Sequence, residues 1–148
     1  MSQMTWTTAQ QAAIDARGQN LLLSAAAGSG KTAVLTERIK KLITDMDDPA
    51  DITELLVLTF TRASAGEMKT RISSGIAKAL SEAEQEQNTP LARHLSRQLA
   101  LMSSAQISTL DSFFQTLIRR YFYLIDLDPN TKMLTDSNEI YALEQDVL

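Results

Sequence analysis

The sequence predicts an α/β fold in which a parallel sheet is flanked by helices. Three observations carry this. Asn20-Leu-Leu-Leu-Ser24 is a short apolar run of the buried-strand kind, and it leads through a glycine loop into a helical pattern. Glu54-Leu-Leu-Val-Leu-Thr-Phe60 is a second such run, and a buried strand after a helix implies a right-handed βαβ unit. Ala105-Gln-Ile-Ser-Thr-Leu110 is a third, running into another helix. Parallel strands are therefore expected near residues 20–25, 54–59 and 106–110.

Composition bounds the reading. A chain of 148 residues is long enough for one domain with a sizeable core. Its 44% hydrophobic and 22% charged residues are those of an ordinary globular protein. The absence of cysteine excludes disulfides and cysteine-ligated zinc or iron–sulfur sites within this chain. No signal peptide or long apolar span is read, so no membrane association is expected and the cytoplasm is the default. A net charge of −4 excludes a diffuse basic surface as a nucleic-acid grip and leaves room for a local groove.

In chain order, Met1 to Thr5 is expected to fray. Thr7-x-x-Gln10 and Thr8-x-x-Gln11 both fit the capping-box spacing at the start of a helix. Either glutamine could instead aim its amide, a paired donor and acceptor, at a purine edge; spacing leaves the two roles open.

The central stretch is Ala25, Ala26, Ala27, Gly28, Ser29, Gly30, Lys31 and Thr32. A phosphate-binding loop needs backbone N–H groups turned inward, hence positive φ and no Cβ, which Gly28 and Gly30 can supply. Lys31 would reach the β- and γ-phosphates, and Thr32 would offer its hydroxyl to Mg²⁺. The helix that follows adds unpaired N–H groups and the positive end of its dipole. Ala25 departs from the usual pattern, which has glycine there.

Apolar residues at Val34, Leu35, Ile39, Leu42 and Ile43 make that following segment a helix, and an acidic turn, Asp45 to Asp51, ends it at Pro49. Thr59 to Arg62 then falls at the carboxyl end of the second strand, the ligand side of such a sheet. Met68, Ile72, Ile76 and Leu80 form one stripe of the next helix. Ser81 to Pro90 reads as a polar loop or a loosely held helix end. Leu91, Leu95, Leu99 and Met102 resume a helix, with Arg93, His94 and Arg97 assigned to its solvated side.

The third strand runs into a helix over Asp111 to Leu124, rich in large apolar groups such as Phe113, Phe114 and Leu117. Asp136-x-x-Glu139 signals a last helix, in which the sequence stops, so a piece of a longer polypeptide is expected. A nucleotide hydrolase also needs a carboxylate strand to hold Mg²⁺ and orient water. Asp111 and Asp126 mimic it, but neither is followed by a glutamate that could serve as base. Read on its residues alone, the chain is a nucleotide binder with incomplete catalytic equipment. A stand-alone P-loop NTPase or small kinase with Asp111 as metal ligand is the alternative, and Asp111 as a helix cap is its plainer role.

Thr7-Thr-Ala-Gln10, Ala25 to Thr32, Leu56-Val-Leu-Thr-Phe-Thr-Arg-Ala-Ser-Ala-Gly-Glu-Met-Lys-Thr-Arg-Ile72 and Ile107-Ser-Thr-Leu-Asp-Ser-Phe113 resemble, in order and spacing, the opening motifs of superfamily 1 helicases of the UvrD/Rep type. That family tolerates alanine where this chain has Ala25. Within it, Trp6-Thr-x-x-Gln10 and Arg119 to Pro129 look most like the A subunits of AddAB (RexAB) helicase–nucleases. The resemblance implies a RecA-like P-loop NTPase fold, present as a partial domain: residues 1–125 as the start of the first motor domain, 126–148 as the start of an inserted helical subdomain. It implies that Gln10 reads adenine and that the loop residues hold ATP, with Lys31 and Thr32 at the reacting phosphates and Thr32 on Mg²⁺. It further implies DNA contacts, single-stranded at Thr59, Phe60, Thr61 and Arg62 and again at Thr109, Ser112 and Phe113. For the longer protein it implies ATP-driven unwinding of duplex DNA, a nuclease, a B-subunit partner and a role in repairing double-strand breaks. The fragment alone is expected to hydrolyse essentially no ATP.

Overall fold

The computed structural model describes residues 5–24, 26 and 28–124. Ala25, Ala27, Met1 to Met4 of the amino-terminal stretch expected to fray, Asp126, the expected subdomain 126–148 and its helix lie outside the described residues. The chain forms two compact units, residues 1–110 and 111–148.

In the first unit, α1 (Thr8–Asp15) opens with a complete capping box, in which the Thr7 hydroxyl accepts from the Gln10 N–H and the Gln10 side chain accepts from the Thr7 N–H. Thr7, not Thr8, is the cap. The helix α2 (Lys31–Thr44) buries Val34, Ile39 and Ile43, the spacing its sequence repeats. A 3-10 turn at Ile52–Glu54 leads into β1 (Leu56–Thr59). Then come α3 (Arg62–Gln85), α4 (Thr89–Leu101) and β2 (Gln106–Thr109). The strands β1 and β2 pair in parallel, with Leu56 opposite Gln106 and Thr59 opposite Thr109.

The core lies where α2, α3 and α4 pack on this pair. Ile43, Ile52, Ile72, Ile76 and Leu95 are fully buried there. Thr36 and Lys40 of α2 meet Met68 and Gly75 of α3 in that order, so the two helices run parallel. Both amino termini thus lie at one end of the unit, the end where β1 hands its chain to α3.

Three expectations are corrected. Residues 20–24 form no strand; Leu22 is 93% exposed, and the sheet of the described residues has two strands. A strand exists by pairing, and this run finds no ladder among the described residues. Residues 81–85 belong to α3, whose end is held by burial of Ala83; the break comes at Gln87, in the left-handed region with φ 56°, before Asn88 caps α4. His94 is not on a solvated face, because its Nε2 lies 2.9 Å from the Ile43 carbonyl and donates to it, closing an orphan acceptor at the end of α2.

Sequence reasoning also passed over Gln98. It is fully buried, and its Oε1 accepts the Ile52 N–H at 2.8 Å. The signal was present, since Leu91, Leu95, Gln98 and Met102 share one helical stripe.

In the second unit, the described residues are the remainder of α5 (Leu110–Tyr121), whose first residue closes the first unit, and a 3-10 turn, Phe122–Leu124. The Phe113 and Phe114 rings pack at 5.8 Å, tilted by 52°. Asp111 is the second residue of α5, one position inside the helix. It favours the positive end of the helix dipole instead of serving as the cap.

Candidate nucleotide site

The loop before α2 takes the conformation that its glycines permit. Gly28 and Gly30 have φ of 79° and 83°, and Gly30, with ψ 14°, is the residue from which α2 starts. Nothing lies within 4 Å of where a Cβ on Gly28 would project, so the approach to the loop there is open. The first turn of α2 follows immediately, at the positive end of the helix dipole. Lys31 Nζ donates to the Ala26 carbonyl at 2.9 Å, so the ammonium folds back over the loop it belongs to. Thr32, in the first turn of α2, is exposed.

Gln10 reaches this loop from α1. Its Oε1 accepts from the Thr7 N–H at 2.9 Å and its Nε2 donates to the Ser29 carbonyl at 3.2 Å. This glutamine thus takes the capping role that spacing left open, and the same side chain also reaches the loop. A carboxamide has two acceptor lone pairs and two N–H groups. One of each is used here. Gln11, by contrast, turns away to Asp15 at 3.0 Å. That bond and the Lys41 ammonium, the stronger influence, hold the Asp15 carboxyl below the usual carboxylate range.

Behind the loop, Ala13 and Ile14 of α1 and Val34 of α2 form a small buried cluster on which Trp6 packs. Arg38 donates to the Ala13 carbonyl at 2.6 Å, joining the same two helices. Gln10 and the glycine loop are thus fixed to each other by packing as well as by hydrogen bonding. Lys31 also lines an open cavity of about 420 Å³ with Leu35 of α2 and with Leu21 and Leu23 of the apolar run that lacks a sheet partner among the described residues.

At the carboxyl end of β1, Thr59 Oγ1 donates to the Thr61 carbonyl at 3.0 Å, and Thr61 Oγ1 accepts the Ser64 N–H at 3.1 Å as cap of α3. These bonds turn the chain sharply and leave Phe60 94% exposed. Arg62 opens α3 and is also exposed. Thr109, opposite Thr59 in the sheet, is buried, so its side chain supports the strand ends and does not face outward. Ser112 and Phe113 are half-buried residues of α5 in the second unit. Among the described residues no three histidine or acidic side chains gather as a metal site, and no helix is long and apolar enough to cross a membrane.

The family model of the UvrD/REP helicase N-terminal domain matches residues 6–148. The chain is 48% identical over 142 residues to the A subunit of the ATP-dependent helicase/nuclease of Lacticaseibacillus casei, a match that covers 96% of this chain and 11% of the relative. It is 49% identical over all 148 residues to the protein of that name from Clostridium novyi, again 11% of the relative. The Bacillus licheniformis protein of that name is 51% identical over 144 residues, 97% of this chain and 11% of the relative. The chain thus spans about a tenth of the length of these relatives. On the strength of a match across nearly its whole length, the chain belongs to the family of the UvrD/REP helicase N-terminal domain.

Proposed function

We propose that this chain is the ATP-binding segment of the A-type polypeptide of an ATP-dependent DNA helicase/nuclease. The observation that carries the proposal is the joining of Gln10 to a glycine loop at the start of α2, in a chain whose relatives bear that name. In the nucleotide-bound state, Gln10 faces the adenine. Gly28, Ser29, Gly30 and the first N–H groups of α2, with Ala25, Ala26 and Ala27, wrap the phosphates. Lys31 exchanges the Ala26 carbonyl for phosphate oxygens, which favour the ammonium by charge. Thr32, exposed at the helix start, is the residue that would hold Mg²⁺, and that ion supplies charge neutralisation between the β- and γ-phosphates when bound.

The exposed Phe60, with Thr61 and Arg62 beside it, supports the reading that this end of the sheet meets single-stranded DNA. A phenylalanine face stacks bases without regard to sequence, at roughly 1–3 kcal/mol per base. Ser112 and Phe113 are assigned to the same ligand on their motif, and Thr109 acts by holding the strand ends in register. In the longer protein, ATP use drives translocation and unwinding in the cytoplasm, with a nuclease and a B subunit, during repair of double-strand breaks. The lack of a ladder at residues 20–24 among the described residues fits a partial RecA-like domain, in which other strands would cover that run.

This assignment predicts that the chain by itself sustains no ATP turnover, with or without single-stranded DNA. A phosphate-release assay at saturating ATP and Mg²⁺ measures this. Steady turnover, or phosphoryl transfer to a small acceptor that disappears in Asp111→Asn, would replace the helicase-segment reading by a stand-alone kinase.

A further inference from the structure

The Gln10 carboxamide does not choose its own orientation. Its oxygen is pinned by the Thr7 N–H at 2.9 Å and its nitrogen by the Ser29 carbonyl at 3.2 Å, while the Thr7 hydroxyl fixes the backbone of Gln10 at 3.3 Å. With the amide held this way round, the remaining lone pair and the remaining N–H have defined positions. We propose that Thr7 is a positioning residue for nucleotide choice: its capping box sets which end of the Gln10 carboxamide faces the loop and which faces the base. The inference rests on the reading of Gln10 as the residue that meets adenine.

The chemistry follows from the inventory of bonds. Adenine offers an acceptor at N7 beside a donor at N6, which matches one free N–H and one free lone pair. Guanine offers two acceptors, N7 and O6, and the Gln10 oxygen would then face an acceptor unpaired. An amide free to flip could lower that penalty by regrouping its donors; the Thr7 N–H and the Ser29 carbonyl stop it, and the Thr7 hydroxyl holds the helix start from which Gln10 reaches both. Holding a glutamine in one rotamer before binding also removes an entropy cost that a loose side chain must meet on binding. Nor does the Thr7 side chain need to touch nucleotide for this.

The same contacts couple base and phosphate ends. Gln10 Nε2 lies 3.5 Å from where a Gly30 Cβ would sit, so a shift of the amide is felt at the residue from which α2 starts. Thr7 is thereby placed two bonds of influence away from the phosphate loop, through Gln10 alone.

The test compares Thr7→Val, which keeps the branched shape without the hydroxyl, with Thr7→Ser, which keeps the hydroxyl. Two readouts are taken on the whole chain. In nucleotide-free protein labelled with ¹⁵N, a nuclear Overhauser effect between the Gln10 carboxamide protons and Gly30 Hα is expected in wild type and Thr7→Ser and lost in Thr7→Val. In competition binding, the preference for ATP over GTP is expected to fall about fivefold in Thr7→Val, the scale of a lost N-cap, and to be restored in Thr7→Ser. An Overhauser effect that survives in folded Thr7→Val overturns the proposal, as does an unchanged ATP:GTP ratio. A chain that binds neither nucleotide overturns the ATP-site reading and with it the part of Thr7 in nucleotide choice, while the Overhauser comparison still decides whether Thr7 orients Gln10.

Discussion

The side-chain amide of Gln10 donates to the carbonyl of Ser29 at 3.2 Å, linking positions 19 residues apart in the chain. That bond joins the first helix to the glycine loop, beside the packing of Ala13 and Ile14 on Val34. A neutral hydrogen bond of this kind contributes about 0.5–1.5 kcal/mol. Gln10→Ala is therefore expected to speed amide hydrogen exchange at Ser29 and Gly30 several-fold while leaving exchange in α3 and α4 unchanged. Equal exchange in the loop would show that packing alone holds it.

The two glycines Gly30 and Gly75 make opposite predictions. A Cβ at Gly30 would meet Gln10 Nε2 at 3.5 Å and one at Gly75 would meet Lys40 Cδ at 3.7 Å, ordinary contact in both cases. Backbone conformation decides the difference. Gly30 has φ 83°, where a side chain costs about 1–2 kcal/mol, so Gly30→Ala should lower stability by that amount. Gly75 lies inside α3, where alanine gains about 0.5–1 kcal/mol, so Gly75→Ala should raise it. Urea unfolding of both variants checks the signs.

Gln98→Leu should be more damaging than its leucine-rich helix suggests. The substitution leaves the Ile52 N–H buried without its acceptor, a loss of about 1–3 kcal/mol against which a leucine's apolar gain is smaller at a site already full. Chemical denaturation should show a lower midpoint with an unchanged slope.

Acid should weaken the turn before β1. Asp51 is held below its ordinary value of 3.8, first by the Thr53 backbone N–H, then by the Thr53 hydroxyl, with Gln98 and Arg97 adding smaller pulls against a desolvation that opposes them. Its folded pKa is lower than its unfolded one. The stabilisation is therefore complete above the unfolded value and is lost as pH falls through the folded one. The stability difference between wild type and Asp51→Asn should be constant from neutral pH to about pH 5 and shrink below pH 4. A difference independent of pH would remove the carboxylate from this account.

Much of this was legible in the sequence because it is local. The stripes of α2, α3 and α4, the apolar runs that become β1 and β2, the glycine loop and the capping box each depend on residues a few positions apart. What was missed depends on distant partners. His94 looks like a surface residue until the Ile43 carbonyl, 51 positions away, is brought to its ring. Gln98 meets Ile52 across 46 positions. The run at residues 20–24 has a strand's composition, but composition cannot supply the neighbouring strand that makes a ladder. Motif spacing named Gln10 and the loop separately, and the fold alone showed that they touch.

The most direct test of the ATP site is equilibrium binding read by energy transfer from Trp6 to a fluorescent ATP analogue. Trp6 packs on the cluster containing Val34, in the first turn of α2, and is the chain's one tryptophan. A saturable signal that ATP displaces is expected, with affinity lowered about 10- to 100-fold in Lys31→Ala, the scale of a lost charged hydrogen bond. No displaceable signal from the folded chain, or equal affinity in Lys31→Ala, would contradict it.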